Sequence, residues 1–434
     1  MVGALAVVAA SAGAAAFFHA ALLRSSPAAN ARLQNFPKQI RLVFSEEVVP
    51  SLSQITLIGP INDSTRLTLS DDPHDVHTLV GAISDSSAPR AGGTYSVYWR
   101  VISADGHPVG GDFSFSVAGA AAVAPTVRTP VDTGLIRSIA EEDKRRTEEL
   151  PVLAAALRGI GLAALMAAVG LLFFGATARD LSVVPSSSAV TMLTTLGTLF
   201  LVAHLAAWLY HIAPASASAQ DFAMTTLRSK LGLVELLRTV LAVVMLVCVF
   251  ASHNGRFAFG FGVACLVVSG AVGHSAAIDP VWAIPAKSIH LLAGAIWLGG
   301  LLWILRTAPL ERDAQRREIM RVSSMALVSV IAILATGLLQ SWFFLASLSD
   351  LVRSSYGRLV LAKIVGLLIL IGYGAYNRIS LLPAFAIGGD RKLRRSVKQE
   401  IFFICVLALI GGFLAYIPPP PSTNPTTPVA QGGG

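Results

Sequence analysis

The stretch Tyr95-Ser-Val-Tyr-Trp-Arg-Val-Ile-Ser-Ala-Asp105-Gly-His107-Pro-Val-Gly-Gly-Asp-Phe-Ser-Phe-Ser-Val117 decides the reading of the first quarter of the chain. Its two flanks, Thr94 to Val101 and Asp112 to Val117, are rich in β-branched and aromatic residues and alternate as strands do, with Asp105-Gly-His107 between them. Upstream, Ile40-Arg41-Leu42-Val43-Phe44 and Gln54 to Ile58 follow the same pattern, separated by Gly, Pro, Asn and Asp clusters. About 100 residues with this rhythm predict a small antiparallel sandwich or barrel over 19–119.

The rest of the chain is different in kind. Of 434 residues, 54% are hydrophobic and only 13% charged, against about 25% charged in soluble domains. The deficit lies after residue 150. The formal charge of +8 does not point to nucleic acid, because the positive residues cluster in short loops between apolar runs, where they set orientation in a bilayer. The three cysteines, Cys248, Cys265 and Cys405, all fall inside apolar runs, and no CxxC occurs. Outside the membrane the chain therefore offers neither a disulfide frame nor a thiolate site. Any metal there must be held by His, carboxylate, Met or backbone.

Residues 1–18 read as a signal peptide whose apolar core runs from Val2 to Phe18. Residues 120–150 read as an Ala/Pro/Thr-rich linker followed by a charged pre-membrane segment, and 418–434 as a disordered Pro/Thr/Gly-rich tail. Between them, residues 151–417 predict an all-α polytopic membrane domain of about eight transmembrane helices, at 152–176, 190–213, 233–252, 256–276, 284–305, 323–347, 359–380 and 399–417. The arginine-rich loop between spans five and six and the one between seven and eight then share a side. The positive-inside rule makes that side cytoplasmic and puts the β domain outside, as an export signal requires.

The candidate ligands of the β domain are His19, Asp105 and His107. Two imidazoles and a carboxylate, joined by an α-amine if the chain is cut before His19, form a nitrogen-rich set that suits Cu(II) in tetragonal geometry. No Met lies between residues 2 and 165, so a soft Cu(I) site cannot be built here. His74 and His77 sit in an Asp-rich stretch expected to be an exposed loop. In the membrane domain, ionisable side chains inside spans are functional candidates by default. His204 and His211 are seven apart on span two and share a helix face. His274 lies near the end of span four and His290 near the start of span five, so all four belong to the outer half. Lys363, Arg158 and Arg238 are expected to snorkel towards the surface. The glycines of Trp297-Leu298-Gly299-Gly300 predict close helix packing.

The segments HAALLRSSPAANARL, IRLVFSEEV and YSVYWRVISADGHPVGGDFSFSV resemble the CopC family of periplasmic copper-binding proteins, over most of residues 19–117. The resemblance implies a cupredoxin-like Greek-key sandwich or barrel. It also implies Cu(II) ligation by the amine and imidazole of His19, by Asp105 and by His107, with Glu46 of the FSE segment as an assisting carboxylate. The segments SGAVGHSA, IHLLAGAIWLGGLLW, SSYGRLVLAKIVGLLILIGYGAYNR and LRRSVKQE resemble the CopD family of inner-membrane copper proteins over roughly 150–417. Chains that join the two are similar to copper-uptake proteins.

Walker A, DKTGT-like, GxSxG and HExxH motifs are all missing, which excludes an ATP-driven pump and argues against an enzyme. The expected function is copper binding outside a bacterial inner membrane and copper transport across it, with import the direction the resemblance implies, serving copper homeostasis and resistance. The cargo would be Cu(II) at the β domain and Cu(I) or Cu(II) in the membrane domain. The expected partners are the copper ion, the lipid bilayer and a periplasmic copper chaperone. Two alternatives are a haem-linked membrane copper reductase, since His on neighbouring spans can ligate haem iron, and a sequestration or delivery protein that does not transport.

Overall fold

The computed structural model describes residues 22–44, 47–50, 53–60, 64–73, 75–83, 92–102, 108–118, 152–177, 187–212, 222–223, 226–227, 230–251, 255–271, 280–306, 312–345, 347–385 and 390–417. These fall into two compact units, one all-β and one all-α.

The β unit contains β1 (Leu22–Ser26), β2 (Arg32–Leu33), β3 (Gln39–Phe44), β4 (Gln54–Ile58), β5 (Ser64–Arg66), β6 (Thr68–Asp72), β7 (Asp75–Ala82), β8 (Gly93–Ile102) and β9 (Pro108–Val117). One sheet has the order β1-β3-β7-β6 and the other β2-β9-β8-β4-β5. The alternation read from the sequence is what fills the space between them. Ile40, Leu42 and Phe44 of β3 point inward, as do Ile55 and Leu57 of β4, Tyr95, Val97, Trp99 and Val101 of β8, and Phe113, Phe115 and Val117 of β9. Aromatic rings finish the core. Tyr95 stacks on Phe115 with centroids 5.6 Å apart, and Phe44 meets Trp99 edge-on at 5.3 Å. Gly111 has to be glycine, because a Cβ there would lie 2.6 Å from the Trp99 ring. The expected exposed loop around His77 is instead part of β7, where alternation with the buried Leu79 extends the strand back to Asp75.

The helical unit contains α1 (Val152–Ala176), α2 (Ser187–Ile212), α3 (Lys230–Ala251), α4 (Gly255–Gly270), α5 (Pro280–Arg306), α6 (Arg312–Phe344), α7 (Asp350–Arg353), α8 (Ser355–Tyr376), a π-helical turn (Asn377–Leu381), α9 (Leu382–Phe385) and α10 (Asp390–Leu414). Seven of these helices are long and apolar enough to cross a bilayer. The fourth expected span is shorter: α4 has 16 residues, about 24 Å at 1.5 Å per residue, and ends at Gly270 rather than near 276. The stretch that includes His274 lies outside the described residues.

Helix α1 is the buried centre of the unit, while α6 and α8 turn most of their apolar side chains outward, as a bilayer allows. The tightest crossing is that of α1 and α5, where Gly170 faces Ala295 and Gly299. A Cβ on Gly170 would collide with the Ala295 carbonyl, and one on Gly299 with the Gly170 backbone. Small residues let helices approach in lipid, where dispersion rather than the hydrophobic effect holds them together.

Candidate metal centre

The β unit brings strand ends together in a way that bears on the expected ligands. Leu22, the first residue of β1, pairs with Phe44, the last of β3. Phe44 in turn touches Trp99, three residues before β8 ends. Strands β8 and β9 form a hairpin whose last pair is Ile102 with Pro108. His19 precedes Leu22 by three residues, Glu46 follows Phe44 by two, and Asp105 and His107 belong to the five residues joining Ile102 to Pro108. His19, Glu46, Asp105 and His107 themselves lie outside the described residues. Their anchor strands converge on one end of the sandwich.

In the helical unit, His204 and His290 are described. The His211 side chain and the whole of His274 lie outside the described residues. His204 is buried on the α2 face made by Phe200, Ala203 and Ala207, and its ring stacks on Phe200 at 5.4 Å and 9°. Its Nε2 lies 3.1 Å from Thr239 Oγ1 and 3.3 Å from the Glu235 carbonyl oxygen. Thr239 donates its own proton to that carbonyl at 2.9 Å, so Nε2–H donates to the threonine oxygen. Nδ1 faces Glu235 Oε2 at 3.4 Å. Both ring nitrogens are thus turned to protein oxygens, and His204 presents no lone pair to a metal.

Glu235 is the hub of this cluster. Arg238 Nη1 donates to its Oε2 at 2.6 Å, and Arg238 Nε donates to Ser269 Oγ of α4 at 3.1 Å. The guanidinium also lies over the Phe200 ring, 5.9 Å from its centroid. Arg238 was expected to reach for the surface; it is 7% exposed and folds inward, because a carboxylate one turn away supplies what water would. Helices α2, α3 and α4 are pinned together by this network.

His290 on α5 is different. Thr336 Oγ1 of α6 donates to the Ala332 carbonyl at 2.6 Å and lies 2.9 Å from His290 Nδ1. A hydroxyl has one proton, so Nδ1–H is the donor to Thr336, and Nε2 carries the lone pair. The Ile333 carbonyl of α6 is a further hydrogen-bond acceptor for the ring. A ring oriented by a neighbouring helix in this way is how a ligating histidine is commonly held. Lys363 does not snorkel: its Nζ comes within 3.9 Å of the place a Cβ on Gly411 would take, so it is directed at α10. Arg158 lies over Tyr416, 5.8 Å from the ring centroid. No hydrogen bond joins His204 to His290, and no group of three or more His, Cys, Asp or Glu capable of holding a metal occurs among the described residues.

Sequence reasoning passed over Glu235, Thr336 and Glu400. Glu400 of α10 is 2% exposed. It accepts from Trp297 Nε1 at 2.7 Å and from Asn377 Nδ2 at 2.8 Å. Its signal was faint, because the ten residues of α10 before it, Asp390 to Gln399, are mostly charged.

The chain matches two family models, the CopC domain over residues 22–118 and Copper resistance protein D over residues 316–414. It is 24% identical to the copper transport protein CutJ of Bacillus subtilis, over 94% of this chain and 76% of that one. The copper resistance protein C of Xanthomonas campestris pv. juglandis is 37% identical over 26% of this chain and 89% of its own length. The inner membrane protein YebZ of Escherichia coli is 27% identical over 54% of this chain and 87% of its own.

Proposed function

Because the chain belongs to the CopC family through its β unit and carries a Copper resistance protein D domain in its helical unit, we propose that it captures Cu(II) outside a bacterial inner membrane and passes copper inward through the helices. The observation that carries this reading is the convergence of strand ends at Phe44. Register and ring packing bring together the ends of β1, β3 and β8, from which His19, Glu46, Asp105 and His107 extend. The chemistry of the set fits the ion. Amine, imidazole and carboxylate are donors for Cu(II), and residues 1–165 hold no Cys and no Met besides Met1. Capture needs no catalysis, so we read the chain as a carrier and not an enzyme. A periplasmic copper chaperone would be its supplier.

Within the helices, His290 is the imidazole best placed to receive copper, because Thr336 holds the ring through Nδ1 and no carboxylate or guanidinium is bonded to it. His204 serves the Glu235–Arg238 network instead. This also weighs against a haem held between the two spans, since both ring nitrogens of the buried His204 face protein oxygens.

Copper accumulation in bacteria deprived of their own uptake systems tests the reading. Cells carrying the chain should accumulate copper, and His290→Ala should abolish the gain while Cu(II) binding by the β unit is retained. Thr336→Val should lower it less, because the ring loses its support but keeps its lone pair. Cellular copper unchanged by the wild-type chain would replace transport with sequestration.

A further inference from the structure

A pocket of about 250 Å³ lies in the helical unit, lined by α5, α6, α8, the π-helical turn, α9 and α10 and partly open to the outside. Its wall is almost entirely aliphatic. Its charged side chains are only two, Glu400 and Arg378. Arg378 is exposed and donates to Ser323 Oγ of α6 at 3.1 Å. Glu400 is buried, and the donors it meets are both neutral. Among the described residues, the elements packed around it bring no other titratable group to the cavity: α5 contributes Trp297, α6 contributes Ser323 and hydrocarbon, and α8 contributes hydrocarbon and glycine. A bare carboxylate in such a place is costly unless it takes up a cation or a proton.

The second observation is Asn377, the first residue of the π-helical turn, a distortion often found at functional sites. Its Nδ2 donates to Glu400 Oε2, yet its Oδ1 is buried with no hydrogen-bond partner among the described residues. Buried polar atoms without partners are rare and call for a reason. An amide carries a donor on one side and an acceptor on the other, so a half-turn of the side chain would offer Oδ1 to Oε2. That acceptor has a use only when Oε2 bears a hydrogen. The Trp297 N–H cannot reverse in this way, which fixes Oε1 as the acceptor and Oε2 as the protonation site.

We propose that Glu400 is a reversible proton-binding site served by this cavity, with Asn377 as the group that accommodates both protonation states. A hydronium ion entering the cavity gives its proton to Oε2 and leaves as water, and the Asn377 amide turns from donor to acceptor. The site lies among α5, α6, α8 and α10, so it gives the helical unit a means of coupling proton movement to whatever it carries. The inference stands on the cavity and the orphaned amide oxygen and does not depend on the cargo.

Infrared difference spectroscopy on the purified full-length chain, stepped across pH in H2O and in D2O, tests it. The wild-type protein should show a carboxylic-acid carbonyl band that grows as pH falls, shifts in D2O, and is absent from Glu400→Gln. The glutamine keeps an oxygen for Trp297, and retained helical circular dichroism checks its fold. Asn377→Leu removes the accommodating amide and should move the midpoint of that band by about one pH unit, tenfold in proton affinity. A Glu400→Gln difference spectrum identical to that of the wild type would overturn the proposal. So would a wild-type spectrum with no pH-dependent carboxylic-acid band, whatever the variants do.

Discussion

The ring of Phe44 meets the ring of Trp99 edge-on, centroids 5.3 Å apart and planes at 67°. One residue closes β3 and the other lies near the end of β8, on opposite sheets of the sandwich. The contact ties the FSE segment and the Asp105-Gly-His107 hairpin to a shared core, and Leu22 pairing with Phe44 ties the start of β1 to the same place. The proposed capture site and the core of the sandwich therefore depend on one aromatic pair.

Phe44→Ala empties a fully buried site and should cost the β unit roughly 3–5 kcal/mol. Leu23→Ala, at a side chain 56% exposed, should stay within about 0.5 kcal/mol of wild type. Trp99 is the one tryptophan before residue 208, so its fluorescence through a urea titration of the β unit reads both. Equal losses would mean that the aromatic pair is not the keystone of that end.

Cu(II) binding by the β unit should weaken as pH falls through roughly 6.5, because the imidazoles must be deprotonated to ligate. Protons then compete with the metal, so affinity falls as pH drops, and the amine of a chain cut before His19 starts that fall from about pH 8. His107→Ala should abolish tight binding at every pH. Affinity independent of pH between 5 and 8, roughly the window in which histidine titrates, would mean that carboxylates alone hold the ion.

Glu235→Ala leaves Arg238 buried without its partner and should destabilise the helical unit by roughly 3–5 kcal/mol. Replacing both residues with Gln and Met should recover much of the loss, since a hydrophobic or neutral pair removes the stranded charge. Thermal unfolding of the detergent-solubilised chain compares them. A double variant as unstable as Glu235→Ala would show that the pair is not coupled.

Gly170→Leu should prevent α1 and α5 from reaching their present distance, because even a Cβ at that position meets the Ala295 carbonyl. Loss of folded protein from the membrane fraction is the expected result. Gly175→Leu, on the same helix with open space around its Cα, is the control and should be produced normally.

Most of the β unit was legible because a half-buried strand writes its period of two into the chain; Ile40, Leu42 and Phe44 show it without help. The helical spans were legible because length and apolarity suffice, and Trp297-Leu298-Gly299-Gly300 gave away the close crossing. The end of α4 was not, because apolar residues continue past Gly270 where the helix stops. The inward turn of Arg238 and Lys363 was not, because hydropathy ranks a side chain by type and does not register what surrounds it in the fold. Glu235 and Glu400 were overlooked for a simpler reason. Attention to imidazoles as copper ligands hid two acids to which the same cost of burial applies. His204 and His290 looked alike in sequence, and only their hydrogen bonds separate a ring tied into a carboxylate–arginine network from one tied to a hydroxyl.

Cu(II) electron paramagnetic resonance on the chain purified from membranes, with the mass of its N-terminus, tests the central claim most directly. A chain beginning at His19 with a tetragonal, nitrogen-rich signal that disappears in His107→Ala is the predicted result. A chain beginning elsewhere, or a signal unaltered by His107→Ala, would contradict it.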